Sequence, residues 1–231
     1  MKHTLWLIAI GLVLVAVAGA QQPPPAAEVT GEEELVEQRS GTWDELWVHP
    51  EADLASFTKL YAWDPVFQFR DVERTNATSI ALARGAEDAF RIPPEDKETF
   101  EQVVTETVLE ELARSKRFEL VDTVGPDTLI LRAAVLDIIS RVPPNATRRG
   151  NIHLTAVGEA TFVFELIDAE TGVIQARISD RRLIQPAHRM FEVNALPANA
   201  ATVWTDVERW ARDQARDLRK ALDKAAGKAI G

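Results

Sequence analysis

From Ile152 to Leu166 the chain alternates without a break, and nothing else in it restricts the fold as strongly. Even positions carry Ile152, Leu154, Ala156, Gly158, Ala160, Phe162, Phe164 and Leu166. Odd positions carry His153, Thr155, Val157, Glu159, Thr161, Val163 and Glu165. Period two belongs to an extended strand, whose successive side chains point to opposite faces. One face is therefore apolar and the other mixed. Asp168-Ala169-Glu170-Thr171-Gly172 supplies turn chemistry, with Gly172 free to take positive φ. Ile174, Ala176 and Ile178 continue the apolar face on the return strand. The pattern predicts a hairpin that must bury its even side against something else.

Two amphipathic helices are available to cover it. Pro93-Pro94-Glu95-Asp96 opens the first, since proline suits a first turn and acids favour the positive end of the macrodipole. Phe100, Val103, Val104, Val108 and Leu112 recur at helical spacing and form its stripe. The second, from about Thr202 to Lys224, lines up Val203, Val207, Trp210, Ala211, Leu218 and Leu222. Its outer face alternates in charge, with Glu208 and Arg212 one turn apart. Further strands are expected over 57–63, 118–122 and 128–140, joining 151–167 and 173–184. The expected fold is α/β (α+β), a two-layer sandwich: a mixed, mostly antiparallel sheet with both long helices on one face. The connections 71–92 and 183–201 read as long loops.

The start of the chain has a different character. Lys2 and His3 make a short basic region, and Leu5 to Val17 is apolar and uncharged. Ala18-Gly19-Ala20 then offers the small residues after which a signal peptidase cuts. A helix over Leu5 to Ala20 would span ~24 Å, short of the ~30 Å hydrocarbon core. Cleavage between Ala20 and Gln21 is expected rather than a retained anchor, with no transmembrane segment left behind. Gln21 to Ser40 holds three prolines and five glutamates and too little apolar surface to offset the entropy of ordering. The expected organisation is a signal peptide over 1–20, a disordered tether over 21–42, one α/β domain over 43–226 and a tail over 227–231.

Charge and cysteine usage narrow the function classes. The net charge is −10, and Lys2 is the only charge in the first 20 residues, so cleavage makes it −11. A net negative chain is a poor match for nucleic acid or an anionic membrane surface. Cysteine is absent, which removes disulfides, thiol nucleophiles and thiolate metal sites.

Motifs with chemistry are scarce. No G-x-G occurs, and none of the six serines stands in G-x-S-x-G. His49, His153 and His188 are widely spaced and in different settings, so no metal site is expected, nor a cofactor site. Asn76-Ala77-Thr78 and Asn145-Ala146-Thr147 match the glycosylation acceptor, a pattern too short to carry weight. Trp210 belongs to the helix stripe, whereas Trp43 and Trp47, beside the tether, are expected to stay partly exposed. Glu159 and Glu165 share a face but lie ~20 Å apart at ~3.3 Å per residue. Glycosidase carboxylates stand ~5–10 Å apart.

Four blocks taken together resemble a known family. They are "WVHPEADLASFTKLYAWDPV", "PEDKETFEQVVTETVLEELARSKRFELVDTVGPDTLILRAAVLDI", "VGEATFVFELIDAETGVIQARISDRR" and "WTDVERWARDQARDLRKALDKA". In order and spacing they look like the domain of unknown function 3313 family, bacterial envelope proteins mostly of lipoprotein type, over about Trp47 to Ala225. The resemblance implies a Gram-negative envelope setting and brings no catalytic residues. Gln21 stands where a lipoprotein would carry its lipidated cysteine.

The function these features predict is a non-catalytic periplasmic or envelope-associated protein that works through protein partners. Its candidate contact face is the odd side of the first hairpin strand: Thr155, Val157, Glu159, Thr161, Val163 and Glu165. Two other classes stay open: a carboxylate-dependent hydrolase, and a small-ligand or lipid carrier with an apolar cavity between sheet and helices.

Overall fold

The computed structural model describes residues 30, 34–72, 89–142, 156–186 and 200–227. It confirms the two-layer α/β architecture. One mixed sheet of eight strands carries two helices on a single face. The strands are β1 (Val36–Glu37), β2 (Glu45–Val48), β3 (Lys59–Ala62), β4 (Val66–Phe69), β5 (Glu119–Val121), β6 (Thr128–Ser140), β7 (Gly158–Asp168) and β8 (Ile174–Ile184). The helices are α1 (Pro94–Leu112) and α2 (Ala200–Ala226). Strand order is β1-β2-β8-β7-β6-β3-β5, and β4 pairs with the far half of β6. Neighbours from β1 to β6 run antiparallel, whereas β3 runs parallel to β5 and β6, and β4 parallel to β6.

The hairpin forms with its even side inward, but Ile174 does not continue that face with Ala176 and Ile178. A register shift between Leu166 and Ile167 sets it opposite Ile167, and it packs with Ile130 and Ile167 on the other side of the sheet. Phe162 opposes Val135 on β6 and Asp180 on β8, and Gly172 closes the turn at φ 74°. Its even side is the floor of the core. Phe162 stacks on Trp210 of α2 at 4.6 Å between ring centroids and on Phe164 at 5.2 Å. Phe100 of α1 touches Trp210 and packs edge-on against Phe67 and Phe69 of β4. Burying such rings fully contributes ~1.5–3 kcal/mol each, before the added aromatic contact term. Glu111, 2% exposed, ties the helices together by accepting from Arg114 and Arg219.

One polar cluster lies under α2. Asp180 is buried and accepts from the Asp44 backbone N–H and from the Arg182 guanidinium. Gln214 satisfies both neighbours when its amide nitrogen faces Asp180 and its oxygen faces Arg182. Arg182 donates onward to the Thr42 carbonyl and lies over the Trp43 ring. Burial pushes the Asp180 carboxyl up, against the pull of Arg182 and the Asp44 amide.

Several expectations need correction. Ordered structure begins well before Trp43. Thr30 forms a parallel bridge with Val173, β1 pairs with β2, and Leu35 packs on a second apolar cluster of Ile130, Ile167 and Ile174. The stretch assigned to a tether over 21–42 therefore contains part of the sheet. Trp43 is buried against Phe164 rather than partly exposed, while Trp47 is half-buried as expected. The expected loop over 71–92 ends in an isolated bridge, Phe90 to Ser140, and a strand at Val66–Phe69 precedes it.

Candidate functional site

The face of the sheet opposite the helices carries four of the six candidate contact residues, Glu159, Thr161, Val163 and Glu165. Among the described residues, no helix packs on it. Side chains of β6, β7 and β8 alternate onto it in rows set by the register. Arg132, Glu165 and Arg177 form one row, and Ala134, Val163 and Ser179 the next. Leu136, Thr161 and Arg181 form a third, and Leu183 stands beside Glu159.

Arginine dominates the polar part. Glu165 is held between Arg132 and Arg177, with Arg177 Nε at 2.8 Å. Glu159 accepts from Arg141 at 3.0 Å and from Arg181 on its other oxygen. Arg181 also donates to Asp137 at 2.7 Å and to the Thr161 hydroxyl at 3.1 Å. Arg70 closes the chain of pairs on Asp137. Five guanidinium groups thus hold three carboxylates. The centre of the open face is a paired network of arginines and carboxylates, with Glu45 beside Ser179 toward the edge.

A bulge makes this network possible. Between Leu136 and Ile139 the register of β6 shifts, and Asp137 takes φ 52°. Such a left-handed position is uncommon for a residue with a side chain, and aspartate is among those enriched there. The extra residue switches the phase of the strand: Leu131, Ala133 and Val135 face the core before the bulge, and Ile138 does so after it. Asp137 is left on the open side within reach of Arg70 and Arg181.

The electrostatics follow from the pairing. The hydrogen bond from Arg70 is the main reason that Asp137 sits below its ordinary value, with Arg181 adding to it. Burial pushes Glu159 up, but hydrogen bonds and charge from Arg181 and Arg141 outweigh it, and the group ends below its ordinary value. A carboxyl held ionised between cations is a poor proton donor at neutral pH. The arrangement suits a charged scaffold better than acid–base work.

The predicted residues are partly united. Glu159, Thr161, Val163 and Glu165 share the open face. Val157 does not: it is 4% exposed and lines a cleft on the helix side, so the alternation ends one residue before β7 begins. Thr155, His153, His188 and both glycosylation patterns lie outside the described residues, as do Ala20 and Gln21. His49 is a loop histidine, with Nε2 2.8 Å from Glu34. On the mixed face Glu165 is not solvated: it is 7% exposed and engaged by Arg132 and Arg177. Arg177 and Arg181 stand at odd positions of β8 but Arg132 at an even position of β6, and only the register brings the three to one face.

Among the described residues, no group of three histidine, aspartate or glutamate side chains could hold a metal, and no helix is long and apolar enough to cross a membrane.

Solved structures are similar to this chain at low identity. A DUF330-family protein from Xanthomonas campestris is 9% identical, with a TM-score of 0.41 over 77% of this chain and 90% of that one. PelC from Paraburkholderia phytofirmans, solved as a dodecamer, is 11% identical, with a TM-score of 0.32 over 77% and 93%. A DUF4136-family protein from Bacteroides thetaiotaomicron is 7% identical, with a TM-score of 0.33 over 82% and 97%. At this distance nothing functional transfers. No curated protein matches the sequence. The family model for a protein of unknown function, DUF3313, matches residues 32–218, from just before β1 to late in α2, and the chain belongs to that family.

Proposed function

We propose that the protein is exported to the cell envelope and acts there without catalysis, by contact of its open sheet face with a protein partner. Export rests on the basic start, the apolar run Leu5 to Val17 and the Ala18-Gly19-Ala20 motif. The observation that carries the contact reading is the composition of the open face. Val163, Ala134 and Leu136 form a half-buried apolar centre, flanked by arginines already held in place by carboxylates. Arginine and apolar groups are what interfaces concentrate, and a pre-ordered guanidinium loses less entropy on binding. The same pairing speaks against a carboxylate-dependent hydrolase, because Glu159 and Glu165 are both engaged and on one strand six residues apart.

A photo-crosslinking side chain placed at Val163 in intact cells tests this reading. It should trap a defined partner, and the same group at Gln102 on the outer side of α1 should not. Val163→Glu should abolish that product while the melting temperature stays within a few degrees. Equal trapping at both positions, or a turnover abolished by Glu159→Gln alone, would overturn the proposal.

A further inference from the structure

The cleft on the opposite layer was not part of that reading and is independent of it. It lies where α1 and α2 begin, between the helices and the ends of β6 and β8, and encloses about 210 Å³. Ile92, Phe100, Ile138, Val157, Val203 and Trp204 give it apolar walls. An apolar space of ~150 Å³ is enough to take up benzene, whereas drug-sized ligands need ~300 Å³ or more. The volume therefore selects one short alkyl chain or a single ring.

The polar lining of the cleft is small: Arg91, Asp96 and Ser140, whose hydroxyl already accepts from the Val142 backbone N–H. Arg91 lines the mouth, is exposed, and is paired with no described carboxylate. The start of α2 adds the positive end of a 27-residue helix with no acid in its first turn. Asp96 also lines the cleft, but burial and then the neighbouring Glu95 push its carboxyl up, which weakens its opposition to an anion. An apolar slot whose mouth holds a guanidinium that pairs with no carboxylate among the described residues matches an amphiphile with a single negative head.

We propose that this cleft binds the alkyl chain of a short fatty carboxylate, with the carboxylate at Arg91. The chain would replace water against Val157, Val203 and Trp204, and the head would remain at the solvent edge, where a charge stays hydrated.

Octanoate is the probe. Titrated into the purified protein by calorimetry, it should bind saturably at one site. Octanol should bind about tenfold more weakly, and Arg91→Gln should bring octanoate down to the octanol level. Dioctanoyl phosphatidylglycerol, whose chains carry no free carboxylate, should not compete. Val203→Trp fills the cleft from a half-buried position and should abolish binding with an unchanged melting temperature. Should that variant fail to fold, a diazirine-bearing octanoate crosslinked to the unaltered protein keeps the test open, and its adducts should map to Val157 or to residues Val203 to Val207. Absence of saturable binding, adducts elsewhere, equal affinity for octanol, or tighter binding of the phospholipid would each overturn the proposal.

Discussion

At the scale of single residues, Glu165 shows how a surface-looking acid becomes structural. An odd position on a strand beside other acids suggests a solvated side chain, and substitution there would ordinarily cost no more than ~0.5 kcal/mol. In the sheet it lies directly between Arg177 and Arg132, which cover it. Hydrogen bonds to charged groups contribute ~1.5–3 kcal/mol, discounted here because both arginines keep water on one side. Glu165→Gln should therefore destabilise by about 1–2 kcal/mol in urea unfolding; a change under ~0.5 kcal/mol would return it to the ordinary surface class. Glu159 adds a pH signature. Unfolded it has the ordinary value of 4.5, and folded a lower one, so its contribution is complete above 4.5 and is lost as pH falls through the folded value. The stability gap between the protein and Glu159→Gln should accordingly be constant from neutral pH down to about 5 and close on further acidification. A gap that widens below that point would mean the sign is wrong.

At the scale of elements, legibility followed periodicity. The hairpin and both helices were readable because a long run of apolar positions repeats at one period, and burial on one face enforces it. The short pieces were read unevenly. β3 and β5 fall within the strands expected over 57–63 and 118–122. β1, β2 and β4, of two to four residues, carry too little pattern to stand out beside the proline-rich and turn-like sequence around them. The bulge in β6 was invisible for a related reason, since LILRAAVLDII is apolar on both faces and a phase switch leaves no trace in it. Val157 failed because alternation continues through sequence that is not strand. Gly158, one residue on, has a physical reason that no pattern announces. A Cβ there would lie 2.5 Å from the Ile139 carbonyl oxygen, on the paired strand. That contact is with backbone and cannot turn aside, so Gly158→Ala should destabilise by about 1–3 kcal/mol, the usual cost of overpacking. Chemical unfolding measures it, and a neutral result would show that the strand ends are free to separate there. The candidate site was legible as a face but not as a network, because which arginine meets which acid depends on register across three strands.

At the scale of the whole molecule, the two faces of the sheet are finished by different parts of the chain. The helix side is closed by α1 and α2, elements that any reading of the sequence would find. The other side is partly closed from the N-terminal end: Leu35 packs on Ile130, Ile167 and Ile174 with help from Tyr61 and Trp63. The same stretch also reaches the helix side, where the Ser40 hydroxyl accepts from the Trp43 backbone N–H at 2.9 Å and the Thr42 carbonyl accepts from Arg182 at 2.7 Å. Composition alone calls this stretch a tether, since polar and proline-rich surroundings dilute its few apolar residues; pairing with β2 overrides that. A protein starting at Trp43 would lose the Leu35 contact, worth ~1.5–3 kcal/mol if fully buried and less here, and the acceptor of a charged hydrogen bond worth a similar amount. Together about 3 kcal/mol is at stake, and a chain of this size shifts by ~2–4 °C per kcal/mol. Truncation to Trp43 should thus lower the melting temperature by roughly 6–12 °C, while limited proteolysis of the intact protein should leave a resistant core that still contains Leu35. If the core instead begins near Trp43 and melts as the intact protein does, β1 contributes nothing and the open face is bare along its whole length.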